Sequence, residues 1–164
     1  EAFCDVVSPD LVDSEARSRQ AGEIFRREHV DIVLVFPFGY TPSMNVLPAV
    51  AGLDVPIRIV NAHEDRSYNY ARADTTLYLH HEGVCCIPEI AGALVNLGRR
   101  FKVRTGALDD PRLREEMRAD CLGAAAARFF REMKVGLIGQ VYTHMSDMPI
   151  DEHRLLRNTG RPHA

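Results

Sequence analysis

The chain has 164 residues, of which 46% are hydrophobic and 26% charged, and its formal net charge is −3 at pH 7. This length and composition indicate a soluble globular protein of about one domain, whose core needs no disulfide or metal to hold it together. Because the net charge is negative and the basic residues form no run, a nucleic-acid-binding surface is not expected.

The sequence also argues against a membrane or secreted protein. No apolar run is long enough to span a bilayer, and the opening residues, EAFCDVVSPD, contain neither the basic nor the apolar region of a secretory signal. The four cysteines, of which Cys85 and Cys86 are adjacent, lack the spacing of a disulfide framework. We therefore expect reduced thiols in a cytoplasmic protein that contacts no membrane.

Short apolar runs alternate with amphipathic segments through most of the chain. In chain order they predict a strand at 4–9, a helix from Asp13 or Ser14 to about His29, a strand at 31–38, a short helix through Val50 capped by Ser43, a strand at 55–62, a possible strand at 75–79, a helix from Pro88 to Leu97 closed near Gly98, and a strand at 101–108. The run 31–38, DIVLVFPF, is continuously apolar and rich in β-branched residues, as is typical of a strand buried on both faces.

The clearest helix is predicted at 109–133, with Asp110 as N-cap and Pro111 at its first position. Its predicted apolar stripe consists of Leu113, Met117, Cys121, Ala124 and Ala125. A strand at 134–141, a loop and a helix from Asp151 follow. Because strands and helices alternate, we predict right-handed βαβ units with a parallel sheet. We place a boundary after residue 133, so that 1–133 form one α/β domain and 134–164 begin a second that is truncated here.

Loops that follow the carboxyl ends of parallel strands carry function, which selects loops 37–43, 61–70, 80–86 and 140–149. Loop 80–86, HHEGVCC, combines two histidines, a glutamate and two cysteines, which are usual zinc ligands. However, adjacent residues point their side chains in different directions, and no second pair with the spacing of a metal site is present. We therefore do not expect a metal in this loop.

The two cysteines of this loop leave alternatives open. Cys85 and Cys86 are either small residues packed at the start of a helix or, in the case of Cys85 with His81, the nucleophile and base of a hydrolase. No G-x-S-x-G elbow accompanies them, and no glycine-rich loop has the Walker or dinucleotide-binding spacing.

Two further loops have both a structural and a functional interpretation. In loop 140–149, Asp147 caps a helix (or Asp151 does so just beyond the loop), or Met145 contacts the carbon skeleton of a ligand. Tyr40, just past a buried strand, is either a core residue or presents its hydroxyl to a ligand.

Four features follow one another along the chain: the Tyr40-Thr41-Pro42 loop, the turn into the helix that carries Glu89, the strand with Gly106 followed by DDP, and the methionine-containing opening of the next domain, QVYTHMSDMP. Each motif is loose, but in this order and spacing, over nearly the whole chain, they resemble the L-arabinose/L-fucose isomerase family.

The resemblance implies a Rossmann-like, doubly wound parallel sheet in residues 1–133, lacking the family's first strand, and the start of a second α/β domain. Members of this family interconvert aldoses and ketoses through an enediol with a divalent metal, commonly Mn²⁺. Their metal ligands lie in later domains, so no catalytic or metal-binding residue is expected in this segment. The resemblance also implies a homo-oligomer, in which first-domain loops help to build the sugar pocket.

The resemblance further implies which residues contact the sugar. Tyr40 matches the pocket aromatic, and Met145 matches a methionine near the substrate. Arabinose isomerases offer a glutamine and a histidine at the positions of Glu82 and Cys85, and His81, together with its neighbour His80, is a candidate for the missing donor. We therefore predict Tyr40, His81, Glu82, Cys85 and Met145 as substrate-binding residues. The alternative is a non-catalytic Rossmann-like module that binds a sugar or another small ligand.

Overall fold

A computed structural model describes residues 3–64, 66–81 and 83–134, together with Asp151, Arg154 and Arg157. These residues form a mixed α/β structure around a three-stranded parallel sheet of order β1-β2-β3. The strands are β1 (Val33–Val35), β2 (Ile57–His63) and β3 (Phe101–Ala107). The helices in the described residues are α1 (Glu15–Arg27), α2 (Leu47–Val50), α3 (Thr75–His80), α4 (Gly83–Asn96) and α5 (Pro111–Glu132), with short 3-10 turns at Ser43–Asn45 and Tyr70–Arg72.

The predicted α/β class with parallel strands is confirmed. The chain divides into two compact units, Glu1–Ala124 and Ala125–Ala164. The first unit contains the sheet. The predicted strand 134–141 lies outside the described residues except for Lys134, so a second domain that begins at 134 stays a prediction. Asp151 Oδ1 accepts a hydrogen bond from the Arg154 backbone N–H at 2.9 Å, which is the bond that a helix N-cap makes.

Several helix boundaries follow from local capping, as predicted. The Ser14 side chain accepts a hydrogen bond from the Arg17 backbone N–H at the start of α1. At the start of α5, Asp110 Oδ1 accepts one from the Arg112 N–H at 2.9 Å, with Pro111 as the first helical residue. Just after α4, Gly98 has a φ of 65°, the left-handed conformation that commonly ends a helix.

Two predicted strands are absent from the described residues. Residues 4–9 form no strand: Val6 is 81% exposed, and Asp10 has a φ of 62°. A strand there would bury too little apolar surface to offset the loss of backbone entropy. Residues 75–79 belong to α3 instead, because Asp74 caps that helix through a 2.9 Å hydrogen bond from the Leu77 N–H. This cap outweighs the strand preference of the two threonines at its start.

Three other elements differ from their predicted bounds or roles. β1 covers only three residues of the run 31–38. Pro37 has no N–H to donate to a sheet ladder, so the strand does not continue through it, and Phe38 beyond it is 84% exposed. α4 begins at Gly83 and contains Pro88 in its interior, since burial of the adjacent Ile87 and Ile90 favours the longer helix. Ser43 does not cap a helix; it is the first residue of a 3-10 turn and is buried.

One face of the sheet is apolar. Alternate residues of a strand point to opposite faces, and on this face Ile57 and Ile59 pack against α1, α2 and α4. The side chains of Ile90 and Leu94 of α4 are fully buried in the same core. At Gly22, an added Cβ would lie 2.9 Å from the Ala49 carbonyl oxygen, so α1 and α2 approach closely there because residue 22 has no side chain.

The other face of the sheet is covered by α5 and contains charged groups. Asp120 of α5 is 8% exposed and pairs with Arg58 of β2 at 2.9 Å and with Arg104 of β3 at 2.7 Å. Of the predicted stripe, Leu113, Cys121 and Ala124 are buried and Ala125 is exposed. Helices therefore cover both faces of the sheet, as in a Rossmann-like α/β unit. None of the helices in the described part of the chain combines the length and apolar character that crossing a membrane requires.

Candidate functional site

Polar side chains gather where β2 and β3 end. Asn61 and His63 are among the last three residues of β2, and Thr105 of β3 is the register partner of Asn61. Asn61 and His63 continue the alternation of Ile57 and Ile59, so they point to the sheet face that α4 covers. Thr105, as the partner of Asn61, points to the same face. This is the carboxyl edge of a parallel sheet, where ligands of α/β proteins bind. We refer to the group of Asn61, His63, Thr105, His81 and Cys85 as the edge cluster.

Asn61 connects the two strands with the start of α4. Its Nδ2 donates a hydrogen bond to Thr105 Oγ1 at 3.5 Å. A Cβ added to Gly83, the first residue of α4, would lie 2.6 Å from Asn61 Oδ1, so the amide oxygen lies against the beginning of that helix. The absence of a side chain at residue 83 is therefore what allows Asn61 to reach α4.

His81, a predicted substrate-binding residue, lies between aromatic rings just after α3. The Tyr68 hydroxyl is 3.1 Å from His81 Nδ1, and the two ring centroids are 4.3 Å apart. The His63 ring centroid is 5.9 Å from that of His81. Residues of loop 61–70 and of the predicted loop 80–86 are thus brought together, although the element before residue 81 is α3 and not the predicted strand.

Cys85 and Cys86 have different environments in the first turns of α4. Cys86 is fully buried in the apolar core, while Cys85 is exposed and its Sγ lies 3.2 Å from the Tyr78 hydroxyl. The packed-cysteine interpretation therefore holds for Cys86 and not for Cys85. The contact that the structure shows for the Cys85 thiol is the Tyr78 phenol, and the hydrolase alternative stays a prediction.

Tyr40 belongs to an aromatic loop, residues 36–42, that follows β1. Tyr40 is 63% exposed, which removes the core-residue interpretation. The rings of Phe36 and Phe38 stack in the same loop with centroids 6.2 Å apart. The loop is fastened to α4 because the Ser43 backbone N–H donates a 2.7 Å hydrogen bond to Glu89 Oε2.

Glu89 lies one helical turn after Cys85 on α4, and residues four apart share a helix face. The Glu89 contact with Ser43 therefore brings the end of the aromatic loop to the same side of α4 as Cys85. Glu82 and Met145 lie outside the described residues, so their predicted roles in the pocket stay predictions.

The described residues contain no group of three or more His, Cys, Asp or Glu side chains that could hold a metal ion. The edge cluster instead offers an amide, a threonine hydroxyl and two imidazoles, with tyrosine hydroxyls beside them. Such groups donate and accept hydrogen bonds in the way that a polyhydroxylated ligand requires.

Sequence reasoning selected loop 61–70 without singling out Asn61 or Tyr68, and it missed Thr105. The available signal was that polar residues replace apolar ones at the last positions of two predicted strands, 55–62 and 101–108. No family model matches the sequence, and no curated protein is similar to it at a significant level.

Proposed function

We propose that the edge cluster binds a sugar and that the chain contributes this sugar-binding site to a metal-dependent aldose–ketose isomerase of the L-arabinose/L-fucose type. One observation supports the sugar site above all: at one edge of the sheet Asn61 and Thr105 meet across the ends of β2 and β3, and His63 lies beside the ring of His81, which packs against Tyr68. Sugars present hydroxyl groups together with apolar C–H faces, and this edge offers partners for both.

The energetics of such a site depend on satisfied hydrogen bonds. A hydroxyl that meets no partner when it is buried costs about 1–3 kcal/mol, and a site built to bond a hydroxyl therefore rejects analogues that lack it. The exposed ring of Tyr40 in the aromatic loop provides a flat surface for C–H groups and a hydroxyl of its own.

In this proposal the described residues bind and orient the substrate and do not carry out the proton transfer. Aldose–ketose isomerisation moves a proton between adjacent carbons, for which a divalent metal polarises the oxygens when it is bound. We place the ligands of Mn²⁺ in other parts of the polypeptide, as the resemblance implies; the described residues contain no group of three or more His, Cys, Asp or Glu side chains that could hold a metal ion.

The proposal also includes a homo-oligomer in the cytoplasm, in which neighbouring subunits complete the pocket. The described cysteines, Cys4, Cys85, Cys86 and Cys121, are all free thiols, which suits a reducing compartment.

The test is a panel of aldoses and ketoses supplied to the full-length protein with Mn²⁺ and, in parallel, with a chelator. We expect interconversion of at least one aldose–ketose pair that stops with the chelator and returns when Mn²⁺ is restored. Tyr40→Ala is expected to raise KM for that sugar, with Leu11→Ala, an apolar residue of similar exposure (65% against 63%) that lies before α1, as its control. A full-length protein that binds no sugar and converts none contradicts the proposal.

The second candidate is a non-catalytic binding module that uses the same edge. It is favoured by the nature of the edge cluster, whose hydrogen-bonding groups serve for ligand binding without any metal or nucleophile. The two functions differ in one measurement: a binding module shows saturable sugar binding that a chelator leaves unchanged, and no product forms from the bound sugar.

A further inference from the structure

Asn61 and Thr105 form a matched pair across the end of the sheet. They are register partners on β2 and β3, and their side chains meet on the face toward α4. Asn61 is half-buried, while Thr105 is exposed. The pair is therefore fixed on one side by the sheet and open on the other.

The start of α4 determines how the Asn61 amide is oriented. The first N–H groups of a helix have no partner within the helix, and the helix dipole is positive there. An amide oxygen is favoured at such a position and an amide nitrogen is not. The Asn61 oxygen lies against Gly83 at this helix start, which turns Nδ2 toward Thr105 and the open edge.

Hydrogen-bonding capacity is left over in this arrangement. The Asn61–Thr105 separation of 3.5 Å is at the long limit of a hydrogen bond, so the two groups hold each other only weakly. An amide nitrogen carries two hydrogens, of which one is directed to Thr105, and the threonine hydroxyl that accepts it still has its own hydrogen to donate. The pair thus presents two donors side by side.

We propose that Asn61 and Thr105 bind two neighbouring hydroxyls of the sugar, and that they select the sugar by the relative configuration of those hydroxyls. This inference rests on the proposed sugar-binding function and deepens it. Two donors held side by side match two hydroxyl oxygens that project from adjacent carbons on the same side. Inversion of one carbon moves one oxygen away, and its donor is then left without a partner.

The test measures binding to the full-length protein of the aldoses and ketoses in the panel above, and of the epimers and monodeoxy analogues of whichever sugar binds. The epimer in which one of the two contacted hydroxyls is inverted is expected to bind more weakly. Thr105→Val keeps the shape of the side chain and removes the hydroxyl, and Asn61→Asp keeps the oxygen toward α4 and removes the donor. We expect each variant to bind the sugar roughly tenfold more weakly or worse. Thr76→Val on α3 and Asn96→Asp at the end of α4, both exposed, serve as controls and are expected to bind as the unaltered protein does.

The monodeoxy analogues separate ligand contact from a structural role. The unaltered protein is expected to discriminate against the analogue that lacks a contacted hydroxyl, Thr105→Val is expected to lose that discrimination, and Thr105→Ser is expected to restore it. If the unaltered protein binds sugars and both variants bind and discriminate as it does, the diol assignment is wrong while the proposed function stands. If the unaltered protein binds none of these sugars, the proposed function fails, and the diol assignment fails with it.

Discussion

The buried charges between the sheet and α5 lead to a specific prediction about stability. Asp120 is the common partner of two arginines from different strands, and the exposed fractions of the side chains are 7% for Asp120, 13% for Arg58 and 22% for Arg104. Asp120→Asn keeps the shape of the side chain and removes its charge. Both arginines then keep their charges in a largely buried position without this partner.

The magnitude follows from the degree of burial. Removing one partner of a fully buried ion pair costs about 3–5 kcal/mol, because the remaining charge is desolvated without compensation. Here the arginines keep some contact with water, and Glu116 still lies 3.3 Å from Arg104, so we expect the lower end, about 3 kcal/mol. For a protein of this size that loss corresponds to a fall in melting temperature of roughly 6–12 °C.

The measurement is the free energy of unfolding from urea titration, followed by circular dichroism. Glu115→Gln is the matched control: it removes a carboxylate from the same helix whose partner, Arg118, is 3.0 Å away, but both side chains are largely exposed. An exposed pair of this kind contributes at most about 1 kcal/mol. If Asp120→Asn costs no more than Glu115→Gln, the buried network does not stabilise the packing of α5 as inferred.

The same network predicts a pH dependence. Burial alone would raise the pKa of Asp120, but its hydrogen bonds and ion pairs with Arg104 and Arg58 outweigh burial and hold the pKa below its ordinary value of 3.8. A carboxylate with a lowered folded-state pKa stabilises the fold above its unfolded-state pKa, and this contribution is lost as the pH falls through the folded-state value. The stability difference between the unaltered protein and Asp120→Asn should therefore be constant near neutrality and shrink below about pH 4.

Two other predictions concern packing and thiol reactivity. Gly22→Ala should lower the free energy of unfolding by about 1–3 kcal/mol, because the new methyl group meets the Ala49 carbonyl oxygen. Gly92→Ala is the control, since an added Cβ there meets nothing within 4 Å, and it should not destabilise the protein. Equal urea midpoints for the two variants would contradict the close approach of α1 and α2. Burial, and to a smaller extent the neighbouring Cys4 thiol, raises the pKa of Cys121 to about 11, so mass spectrometry after brief alkylation of the native protein at pH 8 should find exposed Cys85 modified well before Cys121. Modification of both at the same rate would show that α5 does not shield its thiol.

Elements that depend on neighbouring residues were predictable from the sequence. The start of α1 at Ser14, the start of α5 at Asp110 and Pro111, and the end of α4 before Gly98 each depend on a side chain or a backbone conformation within a few residues. The two longer strands, β2 and β3, were also predictable, because their apolar residues favour a buried strand whichever strand pairs with them.

Elements that depend on distant residues were not predictable. Whether residues 4–9 form a strand depends on a sheet neighbour that no local pattern describes. The burial of Asp120 does not follow from the pattern of its own helix, because the arginines that pair with it come from β2 and β3, 62 and 16 residues away in the chain. At the site, loop 80–86 was selected because it follows a predicted strand at 75–79, where the structure has α3 instead, and the Asn61–Thr105 contact required the strand register.

The two faces of the sheet differ in how they respond to temperature. Apolar packing of the kind that joins the sheet to α1, α2 and α4 weakens on cooling. The penalty for dehydrating charges such as those of Arg58, Arg104 and Asp120 falls on heating. Warming therefore increases the share of the stabilisation that comes from the α5 side of the sheet, and cooling weakens the packing on the opposite side first. Among the buried amides of the first unit, hydrogen exchange near 0 °C should accordingly be fastest in α1, α2 and α4.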